Sequence, residues 1–523
     1  MLLKGGLLVD GTGVPGREAD VRIEGESIAE VGSGLRHHGE VIDCRGHAVA
    51  PGFIDTHSHS DVKVLAEPQL EEKLRQGITL EVLGQDGISV APVEPGERAS
   101  WKQKLSGLEG DFGVEWDWSS VASYLERIQA ARPAQDLAYL APHGALRQIV
   151  VGPDDRPASP EERARMQDLL RTALAEGACG FSTGLIYPPC CYADTAELIS
   201  FGEVLAGAGR PLVVHIRSES DRMREALEEM VGVAGASGCA VQVSHLKLAG
   251  KRNWPRAEEM IGVFESARER GLRFTADQYP YTAGSTLLGA ILPPWAHSGG
   301  GEATLRRLGD PEQRARLRAE LSSPEPCEWD NFWQWSGPEG IVVSDIPSGR
   351  HPEWLGRNLA EIAAARRRPP LDAAFDLLRE ERMGVAMISF SQDEDVVSRF
   401  LELPWVNVCT DGLLGGRPHP RTYGTFPRIL GRYVRERGLL ALEEAVRKMT
   451  LQAAAAMGFR DCGRVAPGLR ANLVVFDPET VADRATFEDP ARHPVGIRDV
   501  IVGGGFAVRD GALTGERRGR VVR

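Results

Sequence analysis

Apolar residues recur along this chain with two different periods, and the switch between them divides it into three parts. In residues 1–52, LLKGGLLVDGTG, ADVRIEGESIAEVG and GHAVAPG are short apolar or alternating runs separated by glycine-rich turns, as strands are. Residues 462–523 have the same texture in RANLVVFDP, RDVIVGGGFAVRDG and GALTG. Neither end is large enough to bury a comfortable core alone, so the two are expected to pair into one small discontinuous β-sandwich domain. Between them, over 53–461, apolar runs suited to buried strands (RPLVVHI, LRFTADQYP) alternate with segments of helical spacing (LISFGEVLAGAG, AEEMIGVFESARERG). About eight such units predict an α/β fold, a TIM-like (β/α)8 barrel rather than an open sheet. Right-handed crossovers would then gather the C-terminal ends of the strands on one rim.

The alternation breaks at residues 283–345, where LPPWAHSGGG, a charged helical stretch and WDNFWQWSG follow one another. A long insertion over a barrel mouth is expected to act as a lid. The alternative is a surface elaboration that packs Trp329, Trp333 and Trp335 on the side of the barrel.

Hydrophobic content of 42% and charged content of 26% belong to a soluble globular protein. The net charge of −13 argues against nucleic acid and anionic membranes as partners, since both reward clustered Lys and Arg. No run approaches the roughly 18 apolar residues of a membrane span, and MLLKGGLLVDGTG does not read as a signal peptide. The eight cysteines lack framework spacing, so free thiols and a cytoplasmic setting are expected. The adjacent Cys190 and Cys191 leave open a vicinal disulfide or a soft-metal site.

Candidate chemistry lies at the strand ends. PGFIDTHSHSD carries His57 and His59, two positions apart on a strand, so both imidazoles can face one metal ion. RPLVVHIRSE carries His215, CAVQVSHLK carries His245, and WVNVCTDGL ends on Asp411. Four imidazoles and a carboxylate at the ends of separate strands suit zinc or a first-row neighbour with a position left open. Such an ion brings the pKa of a bound water to about 7 and supplies a nucleophile. Asp411 is expected to move the proton from that water to a leaving nitrogen, the alternative being a helix N-cap. His143 and His419 are candidates for a supporting role behind these groups.

PGFIDTHSHSD, FSTGLIYPPCCYADTAELI, HIRSES, VSHLKLAG, DQYPYTAGST, SQDEDVV and CTDGLLGGRPHPRTYGTFPRILG together resemble the D-aminoacylases (N-acyl-D-amino-acid deacylases) of the amidohydrolase superfamily, almost end to end. The resemblance implies metal-dependent hydrolysis of the N-acyl bond of a small-molecule substrate, an N-acyl-D-amino acid. It also implies one or two zinc ions, with manganese or cobalt as substitutes, held by His57, His59, His215, His245 and Asp411. One departure stands out: the family's cysteine ligand corresponds to Asp86 in EVLGQDGIS. Asp86 is either a harder, less zinc-selective ligand or a turn residue before Gly87. GACGFSTGLI has no Lys to carboxylate as in the cyclic amidases, which counts against a cyclic-amide substrate.

Lys247, Tyr279 and Arg421 match the family's carboxylate-binding positions, with Tyr192 as a weaker fourth. STLLGAILPPW places Leu287, Leu288, Ile291 and Leu292 near the expected mouth without a cation between them, which favours a neutral, apolar D-residue. Alternatives are another metal amidase of the superfamily, such as a cyclic-amide hydrolase or dipeptidase, and a barrel that binds without catalysis.

Overall fold

The computed structural model describes residues 1–523. Eight short strands of the middle region form one parallel sheet in chain order: β1 (Phe53–Asp55), β2 (Ile78–Leu83), β3 (Asp136–Pro142), β4 (Gly180–Gly184), β5 (Pro211–His215), β6 (Ala240–Val243), β7 (Phe274–Gln278) and β8 (Val406–Val408). Strands β2 to β5 are buried at every position, which is why they read as apolar runs without alternation: helices cover one face and the barrel interior the other. Ladder pairing stops between β8 and β1. Just past their ends a parallel bridge between Ser58 and Gly412, and a bond from the Asp411 N–H to the His57 carbonyl (2.8 Å), bring the two strands together. The barrel is thus nearly closed, and it is joined at the residues that carry its candidate chemistry.

The helices outside follow the local rules of their sequence. Helix Pro160–Ala175 begins on a capping box between Ser159 and Glu162, has Pro160 in its first turn and buries Met166, Leu170 and Ala173, one face of a 3.6-residue period. Helix Ala257–Glu269 buries Met260, Ile261, Phe264 and Ala267. Phe264 stacks on Trp405 beside β8 with ring centroids 4.2 Å apart, a contact worth about 0.5–1.5 kcal/mol beyond its buried area.

The two chain ends form a second, mixed sheet of nine strands in which Ala48–Pro51 pairs antiparallel with Leu473–Phe476. Period-two alternation splits those two strands between two cores. Val49, Leu473 and Val475 face a core internal to the terminal sheet, while Ala48, Ala50, Val474 and Phe476 pack with Phe53 and Phe426 towards the barrel. The sheet curls far enough for its outer strand, Ser27–Gly32, to meet Arg470 through an isolated bridge.

The insertion builds a third hydrophobic core. Ala283–Leu287 and Ile341–Asp345 both pair antiparallel with Ala386–Phe390, the middle strand of a three-stranded sheet. Leu288, Ile291, Leu317, Ile341, Phe375 and Met387 belong to its core, and Trp329, Trp333 and Trp335 pack against it rather than against the barrel wall. The unit therefore reaches past residue 345 to Phe390, because its central strand is supplied from more than forty residues further along. No helix is long and apolar enough to cross a membrane.

Candidate metal centre and substrate site

His57 and His59 follow β1, Asp86 follows β2, His215 ends β5, His245 follows β6 and Asp411 follows β8. All six side chains are buried and converge. His57 Nε2 lies 3.6 Å from Asp411 Oδ1 and 3.7 Å from Asp86 Oδ1; His59 Nε2 lies 3.4 Å from Asp411 Oδ1 and 3.6 Å from Asp86 Oδ2. His245 Nε2 and His215 Nδ1 approach Asp86 Oδ1 at 3.6 and 3.8 Å. Asp86 thus touches all four imidazoles.

These spacings fit a metal centre. Two ligands about 2.1 Å from a tetrahedral ion stand about 3.4 Å apart, close to the separations here. Both ring nitrogens of His57, His59 and His215, and Oδ1 of Asp86, are buried without a hydrogen-bond partner. Buried polar atoms are rarely left so, and a divalent cation would satisfy several at once. Three groups have donor atoms close enough to share an ion: His57, His59 and Asp411; His57, Asp86 and His245; and His215, Glu219 and His245.

Backbone conformation supports the same focus. Asp86, His245 and Asp411 have φ of +56°, +37° and +48°, in the left-handed region that side chains other than Gly avoid. Such strain persists only where surrounding structure imposes it, and it concentrates at functional sites. At His245 the restraint is Asp277, whose Oδ1 accepts from the His245 N–H (2.5 Å) while Oδ2 accepts from Thr56 (2.8 Å).

Beside the metal centre, Lys247 and Arg421 both lie over the ring of Tyr279, 5.6 and 4.4 Å from its centroid. Arg421 is fully buried; one terminal nitrogen lies 2.9 Å from Asp411 Oδ2 and the other donates to the Ser285 carbonyl (3.0 Å). Although burial opposes ionisation of Asp411, Arg421 and the imidazoles around it keep its carboxyl far below the usual range. His419 sits behind the arginine, accepting from the Arg421 N–H at Nδ1 and facing the Ala283 carbonyl through Nε2, each at 3.0 Å. Burial and the adjacent Arg421 hold His419 neutral, as that pattern of one acceptor and one donor nitrogen requires.

Glu219 was not singled out by any motif, yet it is central. Its Oε1 lies 2.5 Å from Lys247 Nζ and 3.1 Å from His245 Nδ1, and its Oε2 lies 3.7 Å from His215 Nε2. The sequence signal is weak: an acid four residues after His215, in HIRSES. Three more groups surfaced only in the structure. Tyr187 packs edge-on against His215 (5.1 Å), Gln392 donates to the Tyr279 hydroxyl (3.0 Å), and Glu109 Oε1 lies 3.6 Å from His59 Nδ1.

Two expected substrate contacts are not brought to the centre. The Tyr192 hydroxyl donates to the Pro294 carbonyl (3.0 Å), and it is Tyr187 that reaches the imidazoles. Leu288, with Ile291 and Leu292, is buried in the core of the inserted unit, because the chain turns into a 3-10 turn at Leu288–Ile291 and points these side chains away from the barrel. His143 stands behind the Asp86 turn, bonded to Thr183 (2.9 Å) and Glu197 (2.8 Å), while Gly144 N donates to the Gly87 carbonyl. All eight cysteines are free, Cys190 and Cys191 included.

Known proteins are similar to this chain across its whole length. The model of the Amidohydrolase family matches residues 40–286 and 349–508. A D-aminoacylase of Alcaligenes xylosoxydans xylosoxydans is 36% identical over 525 aligned residues, covering 100% of this chain and 97% of the relative. The N-acyl-D-glutamate deacylase of the same organism is 37% identical, covering 100% and 96%. The crystal structure of an N-acyl-D-glutamate deacylase from Bordetella bronchiseptica, complexed with zinc and a phosphonate mimic of the tetrahedral intermediate, superposes with a TM-score of 0.83 at 35% identity, covering 100% of this chain and 99% of that one. With its metal-ligand geometry and full-length similarity taken together, this chain belongs to the D-aminoacylase family of the amidohydrolases.

Proposed function

We propose that the protein hydrolyses the amide bond of N-acyl-D-amino acids to a carboxylate and a free D-amino acid, with zinc as its metal and manganese or cobalt as substitutes. The observation that carries this is the placement of two cations over one tyrosine ring, immediately beside four imidazoles and two carboxylates, of which His57, His59, His215 and Asp86 have unpartnered ligand atoms. A substrate with an amide at one end and a free carboxylate at the other matches both halves.

His57, His59, Asp86 and Asp411 would hold one ion, and His215 and His245 a second, with Asp86 shared between them. Asp86 is preferred to Glu219 for that place because it reaches all four imidazoles, whereas Glu219 is already engaged by Lys247 at 2.5 Å. A bound divalent ion supplies the acidity that activates water and polarises the amide carbonyl. Asp411 takes up the proton of the attacking water and returns it to the departing nitrogen. The arginine beside it does two jobs: one nitrogen keeps Asp411 ionised, and Nε, which has no partner, is free for the substrate carboxylate. Lys247 supplies the second charge-assisted contact. His245 Nδ1 faces Lys247 Nζ at 2.7 Å and Glu219 Oε1 at 3.1 Å, so these two groups would hold the ring when its Nε2 ligates.

For the side chain of the D-residue, a neutral group is preferred. Basic residues on neighbouring loops are engaged elsewhere: Lys104 with the Pro188 carbonyl (2.8 Å) and Arg217 with Glu229 (3.1 Å). Turnover of N-acetyl-D-methionine, N-acetyl-D-leucine, N-acetyl-D-glutamate, their L forms and hydantoins by zinc-loaded protein tests all of this. Release of free D-methionine or D-leucine, lost on chelation, is expected. Turnover of cyclic amides alone would replace the assignment, and a clear preference for D-glutamate would overturn the neutral side chain.

A further inference from the structure

The loop that leaves β5 is fastened from outside the barrel by one side chain of the inserted unit. Asp330 Oδ1 accepts from the hydroxyls of Ser218 (2.6 Å) and Ser220 (2.7 Å), and Oδ2 accepts from the Glu219 N–H (2.8 Å). Asp330 is buried and its contacts are these three donors. Burial raises its carboxyl to about 7, with the serine bonds working against the shift. The same stretch of the insertion grips the loop after β6 as well: Arg252 donates to Gln334 (2.9 Å) and to the Pro324 carbonyl (3.1 Å), and Trp335 closes over Gly250.

Glu219 carries the connection inward. Its carbonyl accepts from the Ala249 N–H (2.7 Å) and its carboxylate holds Lys247 at 2.5 Å. A lysine ammonium on a four-carbon stem has no fixed direction of its own; here it is held by Glu219 Oε1 at 2.5 Å and His245 Nδ1 at 2.7 Å, and the backbone of Glu219 is in turn set by Asp330. We propose that Asp330 is a positioning residue through which the inserted unit completes the carboxylate-binding end of the site, by fixing Glu219 and with it Lys247. This rests on the assignment of Lys247 to the substrate carboxylate.

The test uses the zinc-loaded full-length protein and its Asp330→Ala and Asp330→Asn variants. Each is assayed with N-acetyl-D-methionine, and with the corresponding carboxamide as substrate or competitor. Asparagine can keep all three bonds, its oxygen accepting from the Glu219 N–H and its amide donating to the serine oxygens. Asp330→Ala is expected to raise KM for the acid about tenfold while kcat stays within about twofold, the pattern of lost binding rather than lost chemistry. With zinc kept saturating, affinity for the carboxamide should not move, and Asp330→Asn should recover the wild-type KM. Amide hydrogen exchange at residues 218–220 should quicken in Asp330→Ala alone.

Wild-type KM in Asp330→Ala, equal losses on acid and carboxamide, or an Asn variant as impaired as Ala would overturn the proposal. If Asp330→Ala does not fold, Ser218→Ala with Ser220→Ala removes two of the bonds from the barrel side and must raise KM for the acid in the same way. A wild-type protein inactive on N-acyl-D-amino acids would instead remove the deacylase assignment, and the exchange rates at 218–220 would still decide whether Asp330 holds the loop.

Discussion

Asp86 concentrates the chemical question of this site in one residue, because its carboxylate approaches all four imidazoles. Its φ of +56° decides which substitution is informative. Asn tolerates left-handed backbone, whereas Ala adds a strain of about 1–2 kcal/mol unrelated to metal. Asp86→Asn is therefore expected to fold normally and bind less zinc by elemental analysis, and Asp86→Cys to shift selectivity towards zinc over manganese, thiolate being the softer donor. Unchanged metal stoichiometry and affinity in the Asn variant would make Asp86 a turn residue. The same logic applies to Asp411, at φ +48°. Asp411→Asn should keep metal on His57, His59 and Asp86 yet lose roughly 10²- to 10⁴-fold in kcat; metal loss with activity recovered at high zinc would reassign it as chiefly a ligand. Arg421→Met has two consequences, since Arg421 also pairs with Asp411 at 2.9 Å. KM should rise for N-acyl amino acids but not for their carboxamides, and kcat should fall for both. A variant altered in kcat alone would confine Arg421 to holding Asp411.

Among elements, the seam between β1 and β8 is the one that ladder bonds do not close, and a buried polar network closes it instead. Lys73 Nζ donates to Asp55 (2.8 Å), Ser58 (2.9 Å) and Thr410 (2.7 Å), and the Thr410 N–H donates to the other oxygen of Asp55 (2.8 Å). The segments joined are those leading into His57 and Asp411. Breaking a buried ion pair from one side leaves an uncompensated charge, so Lys73→Met is expected to lower stability by about 3–5 kcal/mol in urea unfolding. A loss below about 1 kcal/mol would mean the seam is held by packing alone. None of this was legible beforehand. A lysine in EEKLRQG reads as an exposed helix position, and only the closure of the barrel turns it inward.

At the scale of the molecule, the candidate ligands come from β1, β2, β5, β6 and β8, so an ion bound by them ties together more than half of the barrel's strands. A ligand that binds only the folded state stabilises it by about 2.7 kcal/mol at 100 times its dissociation constant. Chelation is therefore expected to lower the melting temperature by several degrees and zinc to restore it, and His215→Ala should abolish the response. Identical melting curves with chelator and with zinc would argue against an ion at this position. The inserted unit adds a second dependence, because its core is separate from the barrel's and it meets the site through loops after β5 and β6.

The sequence by itself determined the parallel barrel, the pairing of the two chain ends and the gathering of His57, His59, His215, His245 and Asp411 on one rim. Strand ends are local features: a buried apolar run predicts its own direction, and the polar residue that terminates it must lie on the rim. The pairing of Lys247 and Arg421 over Tyr279 was legible only through resemblance, since those residues are separated by up to 174 positions. Tertiary structure alone decided that Glu219 stands among His215, His245 and Lys247, that Tyr187 rather than Tyr192 faces the imidazoles, that Leu288 is core rather than pocket, and that Asp330 reaches the β5 loop. Each of these depends on where a loop turns back. That direction is set by contacts between distant segments, and the period of a pattern along the chain does not encode it.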